Sequence, residues 1–270
     1  MKKLLLGSVA LIVMSAPVLA ADMPVKAVPL PPAWSWTGCY VGLNVGYTWA
    51  RFRKSNVTAV GIPPVVPVNT AFADFDFDRD GAEGGGQIGC NWQYGQWVWG
   101  LETDLQVTSV EGRTVFDHSI FNFPQAGAFN TEVHSAIRYF GTARARLGWT
   151  VTPTTLLYVT GGFAYARVAS ELAFPTNTGA PNAFVNFDAH THFGYTVGVG
   201  AEAKIAQNFT AKLEYLYVDL GSKDYAFTNI PGNVAGTFFN YTWNQRVDFH
   251  VVRLGLNYQF NWYETVVAKY

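Results

Sequence analysis

The chain has 270 residues, of which 49% are hydrophobic, 16% aromatic and only 14% charged, with a formal net charge of -1. That apolar content excludes a disordered chain, and the missing basic excess excludes a nucleic-acid partner. Scarce Glu and Lys beside 26 Gly speak against a helical protein.

Residues 1–20, MKKLLLGSVALIVMSAPVLA, combine a positive start (Lys2, Lys3), an apolar run from Leu4 to Met14 and a small-x-small end at Val18-Leu19-Ala20. This pattern predicts a secretory signal peptide cut after Ala20, with Ala21 as the neighbouring choice. Losing Lys2 and Lys3 takes the net charge from -1 to -3. Residues 21–35, with Pro24, Pro29, Pro31 and Pro32, read as an extended periplasmic linker. No later stretch reaches the roughly 18 apolar residues of a transmembrane helix.

Period-two alternation begins at Gly38. In Gly38–Trp49, Cys39, Val41, Leu43, Val45, Tyr47 and Trp49 form one face, and Gly38, Tyr40, Gly42, Asn44, Gly46 and Thr48 form the other. That is a strand with two unlike faces. The same alternation recurs in Gly86–Tyr94, Trp97–Gln106, Arg138–Trp149, Leu156–Arg167, Phe193–Ile205, Phe209–Leu220 and His250–Phe260. Most of the eight segments are close to the ~9–11 residues a tilted strand needs to cross a bilayer, and aromatics mark the ends of their apolar faces. Long connections (Arg51–Gly85, Val107–Ile137, Val168–His192, Gly221–Gln245) alternate with short ones (Tyr94–Gln96, Thr150–Thr155, Ala206–Asn208). The expectation is an all-β fold over residues 36–260: an eight-stranded antiparallel up-and-down transmembrane β-barrel with long extracellular loops and short periplasmic turns. A ten-stranded barrel is the rival, and the stretches near Thr131 and Thr237 are expected to extend strands beyond the membrane.

The segments WTGCYVGLNVGYTW (36–49), GGGQIGCNWQYGQWVWGLETDL (84–105), RYFGTARARLGWTVTPTTLLYVTGGFAYARV (138–168), KLEYLYVDLG (212–221) and VRLGLNYQF (252–260) resemble the small alphaproteobacterial outer-membrane β-barrel porin family. Its fold is similar to the transmembrane domain of outer membrane protein A. The resemblance implies a Gram-negative outer-membrane location and a role in envelope integrity or surface contact. Some members are described as hemin-binding or as porins, and no catalytic residues come with the family. It also implies that Val252, Leu254, Leu256, Tyr258 and Phe260 form the alternation read by the outer-membrane assembly machinery. Members usually end at that terminal aromatic. Here Asn261–Tyr270 follow and read as a periplasmic tail, with a displaced signal through Val266, Ala268 and Tyr270 as the alternative.

The polar parity carries acids Glu102, Asp104, Glu202 and Glu214 and bases Arg138, Arg144, Arg146, Lys204, Lys212 and Arg253. Eight strands leave room in the lumen for side chains and little else, so these groups are expected to pair as an ion-pair plug, a charge-lined pore being the alternative. Cys39 and Cys90 share the outward parity near the periplasmic end, and an oxidising compartment predicts a disulfide, with two free thiols as the alternative. His118, His134, His190, His192 and His250 map to the extracellular half. His190-x-His192 has the spacing of a metal or haem chelate, but surface hydrogen bonding is the leading reading. Asp76-x-Asp78-x-Asp80-Gly81 resembles the start of a calcium loop, yet Gln87 replaces the bidentate Glu, which favours a solvated acidic loop tip. No Gly-x-Ser-x-Gly, phosphate loop or His-Glu-x-x-His is present, so neither an enzyme nor a cofactor is expected. The expected partners are outer-membrane lipid and lipopolysaccharide, the assembly machinery and an extracellular loop ligand. The leading function is a non-catalytic envelope and surface-contact protein, ahead of a small porin and a hemin or metal receptor.

Overall fold

The computed structural model describes residues 34–62, 69–71, 74–117, 130–174, 184–231 and 238–260. The leader, most of the linker, Pro63, Pro64, Pro67, His118 and the tail from Asn261 lie outside the described residues. Ten strands follow in order: β1 Gly38–Ile62, β2 Asn69–Ala71, β3 Phe75–Tyr94, β4 Trp97–Thr108, β5 Glu111–Asp117, β6 Asn130–Thr152, β7 Thr155–Phe174, β8 Phe184–Lys204, β9 Phe209–Pro231 and β10 Phe238–Phe260. Neighbours pair antiparallel in the order β10-β9-β8-β7-β6-β4-β3-β1, and β1 also pairs β10, which closes eight strands into a barrel. The two remaining strands are short: β2 pairs β1 and β5 pairs β6.

The outer wall carries a continuous apolar band. Leu43, Val45, Leu101, Val107, Val159, Val199 and Leu254 all stand exposed on it, Leu43 at 72%. A surface this apolar is built for lipid. Trp92, Tyr94, Trp97, Trp99, Tyr258 and Phe260 mark its periplasmic edge, beside the tight Gly95-Gln96 turn in which Gly95 supplies a φ of 61°. Tyr47, Trp49, Tyr139, Tyr165, Phe193, Tyr217 and His250 mark its outer edge.

Beyond that edge the strands continue while the polarity of their two faces exchanges. On β1 the outward parity runs Val45, Tyr47, Trp49 and then Arg51 and Arg53, while the inward parity runs Asn44, Thr48 and then Ala50 and Phe52. On β10, His250 is followed upward by outward Asp248 and Arg246, and inward Arg253 by Val251, Phe249 and Val247. Outside has become water, so the core moves inside. The long extracellular loops predicted from sequence are therefore corrected: most of their length is strand. Asp76, Asp78 and Asp80 lie on β3 and not at a loop tip. Asp78 pairs with Arg51 at 3.0 Å and Asp80 accepts from Tyr47.

Above the membrane the wall divides. The β8–β9 ladder stops at Tyr195↔Asp219, and the β3–β4 ladder stops at Glu83↔Thr108. Among the described residues, β5-β6-β7-β8 form one sheet and β9-β10-β1-β3 the other, with β2 on β1. Their inner faces meet through Val133 and Leu172 on one side and Val57, Tyr225, Phe227 and Trp243 on the other. Side chains cross where ladders do not: Lys54 donates to Ser135 (3.3 Å), Ser170 to Gln245 (3.1 Å), and Arg79 to the Arg113 carbonyl (2.5 Å).

Cys39 and Cys90 are register partners on β1 and β3 and form a disulfide. The lumen is filled by setting long side chains over glycines of the next strand. Gln106 lies over Gly85, and Asn257 over Gly42. A Cβ at Gly85 would overlap both the Gln106 amide and the Leu105 carbonyl, and the carbonyl cannot move without breaking the wall. Gly85→Val should therefore lower unfolding stability by roughly 1–3 kcal/mol. Urea denaturation of the refolded protein, followed by tryptophan fluorescence, checks this.

Candidate functional site: the filled lumen

Three layers occupy the inside of the barrel from the periplasmic mouth upward. The first is aromatic. Trp34 and Trp36 fold into the mouth, Trp36 fully buried with Val98, Leu156 and Tyr158. The Trp36 N–H donates to Gln93 Oε1 (2.8 Å), and Gln259 Nε2 donates to the Ser35 and Thr37 carbonyls (3.1 Å each). The linker boundary drawn at Ser35 is thus corrected, since the chain is already packed at Trp34. Alternation could not show this, because residues 34–37 precede the first strand and simply plug it.

The second layer is ionic, and it sits within the membrane band. Glu102 and Asp104 come from β4, Arg144 and Arg146 from β6, Glu202 from β8, Lys212 and Glu214 from β9, and Arg253 from β10, all buried. Glu102 and Arg144 are register partners across β4 and β6. Arg144 meets Glu102 at 2.5 Å, Asp104 at 2.9 Å and Glu214 at 3.1 Å. Arg146 meets Glu202 at 2.5 Å, Lys212 meets Glu102 at 2.8 Å, and Arg253 meets Glu214 at 2.6 Å and Asp104 at 2.9 Å. These four acids and four bases leave no net charge, the condition under which so many ions can be buried. Neutral donors complete the shell. Tyr40 donates to Glu102 (2.5 Å) while accepting from Arg146 (2.8 Å), and Tyr158 donates to Glu214 (2.9 Å). The Arg146 guanidinium also lies 4.1 Å from the Tyr158 ring centre.

Two residues assigned to this network from sequence stand elsewhere. Lys204 is at the periplasmic mouth, its Nζ 4.5 Å from the Trp34 ring centre. Arg138 is exposed on the outer wall. The cause is a β-bulge on β6: the β6–β7 register shifts between Ile137 and Tyr139, so Arg138 and Tyr139 both point outward between buried Ile137 and Phe140. One inserted residue reverses parity, and sequence alternation counted from Tyr139 downward could not see it. Glu83 was missed in turn. It is buried on β3 and accepts from Thr48 (3.3 Å), but its run of glycines hid the strand.

The third layer is apolar. Phe52, Phe77, Ile137, Phe140, Val168, Leu216, Val218, Val247, Phe249 and Val251 close the lumen above the ions, with the Phe140 and Phe249 rings 5.0 Å apart. Higher still, buried Lys54 lies 4.5 Å from the Trp243 ring centre, and its burial pushes its amine well below the ordinary lysine value. It too was missed, because the sequence reading ended the strand at Trp49.

His190 and His192 share the inward face of β8, but with different partners. His190 Nε2 is 2.9 Å from Asp188, and His192 Nε2 is 3.0 Å from the Tyr225 hydroxyl across the β8–β9 gap. No group of three or more His, Cys, Asp or Glu among the described residues could hold a metal ion. Val252, Leu254, Leu256, Tyr258 and Phe260 alternate on the lipid face of β10, the strand that closes against β1.

A closed barrel with a lipid-facing band, short turns at one end and a filled lumen defines an outer-membrane β-barrel protein. The profile of the outer membrane protein beta-barrel domain matches residues 6–260, and the chain belongs to that family. It is 36% identical over 276 residues to a 31 kDa outer-membrane immunogenic protein of Brucella melitensis, covering 96% of this chain and all of that one. It is 30% identical over 234 residues to a 22 kDa outer membrane protein of Rhizobium leguminosarum bv. viciae, covering 86% and 82%. Among solved structures it is similar to the outer membrane protein OprG of Pseudomonas aeruginosa, with a TM-score of 0.47 at 10% identity over 83% of this chain and 97% of that one. The protein is thus located in the outer membrane.

Two predictions follow from the layers. Glu102→Ala removes the acid that meets Arg144, Arg146 and Lys212, which leaves buried Lys212 without an ion pair and the layer with one uncompensated positive charge. The cost should be about 3–5 kcal/mol, read as a lowered urea midpoint. His192 is held at about 4 by burial, with His190 and Lys223 adding to the effect. A histidine lowered on folding is protonated more in the unfolded chain, so stability should fall as pH drops from about 6.5 towards 4. His192→Gln should remove that part of the slope, at most about 1.4 kcal/mol per pH unit.

Proposed function

We propose that the protein is a closed, non-catalytic outer-membrane anchor that serves envelope integrity and holds a stiff two-sheet head at the cell surface. The observation carrying this reading is the stack of three fillings: Trp36 at the mouth, the neutral ion network, and the phenylalanine layer of Phe52, Phe140 and Phe249. An ion crossing the lumen would have to displace all three, and the middle one is held by ion pairs between six different pairs of strands. The extended strands support the surface half of the reading. β1 runs from Trp49 to Ile62 beyond the lipid band, which is long enough to carry its tip tens of ångströms into the medium. Relatives named as immunogenic outer-membrane proteins are consistent with such exposure. In this reading the apolar alternation of β10 is what the assembly machinery engages, because that strand must be placed last to seal the wall.

Planar-bilayer recording of the refolded mature chain (residues 21–270) tests the proposal. Folding is verified beforehand by heat-modifiable gel migration. Folded protein should give no stepwise conductance above the bare bilayer. A stable open level that changes in Glu102→Gln would instead make the ionic layer a pore lining and the protein a small porin.

A further inference from the structure

The chain has ten arginines, and all lie within the described residues. Eight have partners. Arg144, Arg146 and Arg253 belong to the lumen network. On the outer wall and head, Arg51 pairs with Asp78, Arg53 with Asp248, Arg113 with Glu132 and Arg246 with Asp219, while Arg79 donates to backbone carbonyls. The two that remain, Arg138 and Arg167, form no ion pair with a described residue, and they are neighbours. The bulge on β6 places Arg138 and Tyr139 together opposite Arg167 of β7. Both stand on the outward parity, Arg138 exposed and Arg167 partly buried.

Their height is specific. Tyr139 and Tyr165 belong to the outer aromatic edge of the lipid band, and Arg138 and Arg167 stand beside or one step above them. Two carboxylates stand above on the neighbouring strands: Glu171 meets His134 at 3.9 Å, and exposed Glu111 of β5, opposite Ala136, forms no ion pair with either arginine. Two like charges on adjacent strands repel, and a bulge that turns a second arginine beside the first adds to that repulsion. An external anion at the level of the lipid headgroups removes it. Guanidinium forks match phosphate oxygens, and the tyrosine rings below offer an apolar floor of the kind acyl chains cover.

We infer that Arg138 and Arg167 form a binding site for the phosphate of an outer-leaflet lipid headgroup, with Tyr139 and Tyr165 against its acyl region. The site faces the membrane laterally and is separate from the lumen, so it stands or falls independently of conductance.

The test uses the full mature chain folded in detergent micelles and titrated with bis-phosphorylated lipid A. The readout is the midpoint of the heat-modifiable gel transition. The lipid should raise the midpoint in a saturable way. Arg138→Gln/Arg167→Gln should need on the order of tenfold more lipid for half of the rise. Arg51→Gln, which removes an ion-paired arginine elsewhere on the wall, should leave the half-point unchanged. Dephosphorylated lipid A on the wild-type protein should match the phosphorylated lipid on the double variant. The single variants Arg138→Lys and Arg167→Lys, which keep the charge and lose the fork, should each fall between and supply the reading should the double variant not fold. An unchanged half-point in all the arginine variants of the site, or an equal response to dephosphorylated lipid, would overturn the assignment. An equal response to inorganic phosphate alone would also overturn it, by making the ligand a soluble phosphate.

Discussion

Inside hydrocarbon no water is present to serve a backbone N–H or C=O, so a strand that crosses a bilayer must be hydrogen-bonded on both sides. That requirement closes β1 against β10 over Cys39↔Phe260 and beyond, and the other features of the molecule are consequences of closing with only eight strands. Such a barrel is too narrow for a channel of bulk water and too wide to be left empty. Its inner wall has to be filled by its own side chains, and polar ones are needed because the apolar ones are committed to lipid. The neutral set of four acids and four bases meets that need with long side chains, and the facing glycines give them room.

The same strands obey the opposite rule a few residues higher. Once the outer face meets water, charge belongs outside and bulk belongs inside, and β1 changes from Asn44 and Thr48 to Ala50 and Phe52 on its inner parity without any break in the strand. Closure is no longer obligatory there, because water can serve an unpaired edge. The β8–β9 and β3–β4 ladders end close to the level where lipid ends, and the wall relaxes into two sheets joined by side chains. Buried Lys54 and His192 both lie in that upper region, where their burial is balanced by aromatic rings and hydroxyls and not by carboxylates.

Within the lipid band the sequence was close to sufficient. Period two with one greasy parity identified all eight crossing segments, because lipid imposes a single rule over the whole height. Nine of the ten charges sit on the inward parity that alternation gave them; Arg138 is the exception, through the bulge before Tyr139, and Lys204, the last residue of β8, stands below the ionic layer against Trp34. Above the band the reading found the strand extensions near Thr131 and Thr237, where β6 and β10 begin, and missed the others for a reason that lies in the sequence itself. Strand periodicity continues through Arg51, Phe52, Arg53 and Lys54, but hydrophobic alternation exchanges its phase, and a search for one greasy parity ends there. Asp76, Asp78 and Asp80 alternate with Phe75, Phe77 and Arg79, which is a strand pattern with the acids outward. Read as a calcium motif, it looked like a loop.

The exchange of phase also explains why a single bulge matters so much at Arg138. At the level where lipid gives way to water, either parity can carry a charge outward without penalty, so an inserted residue there is tolerated as it would not be a few residues lower. Below Tyr139 the same insertion would drive Arg144 and Arg146 into lipid, strip Glu202 of its ion-pair partner and leave Glu102, Asp104 and Glu214 with Lys212 and Arg253 alone. Register must be strict through the ionic layer and can be loose at its rim. The departures from regular pairing spare the ionic layer: β1 shifts at Ser55/Thr58, β10 at Phe239/Tyr241 and Arg246/Asp248 and β6 at Ile137/Tyr139, at or above the outer aromatic edge, while a last shift on β6 at Thr150/Thr152 falls at the periplasmic turn. The rim is therefore where this fold can vary its outward chemistry without disturbing the ionic layer that keeps the barrel filled.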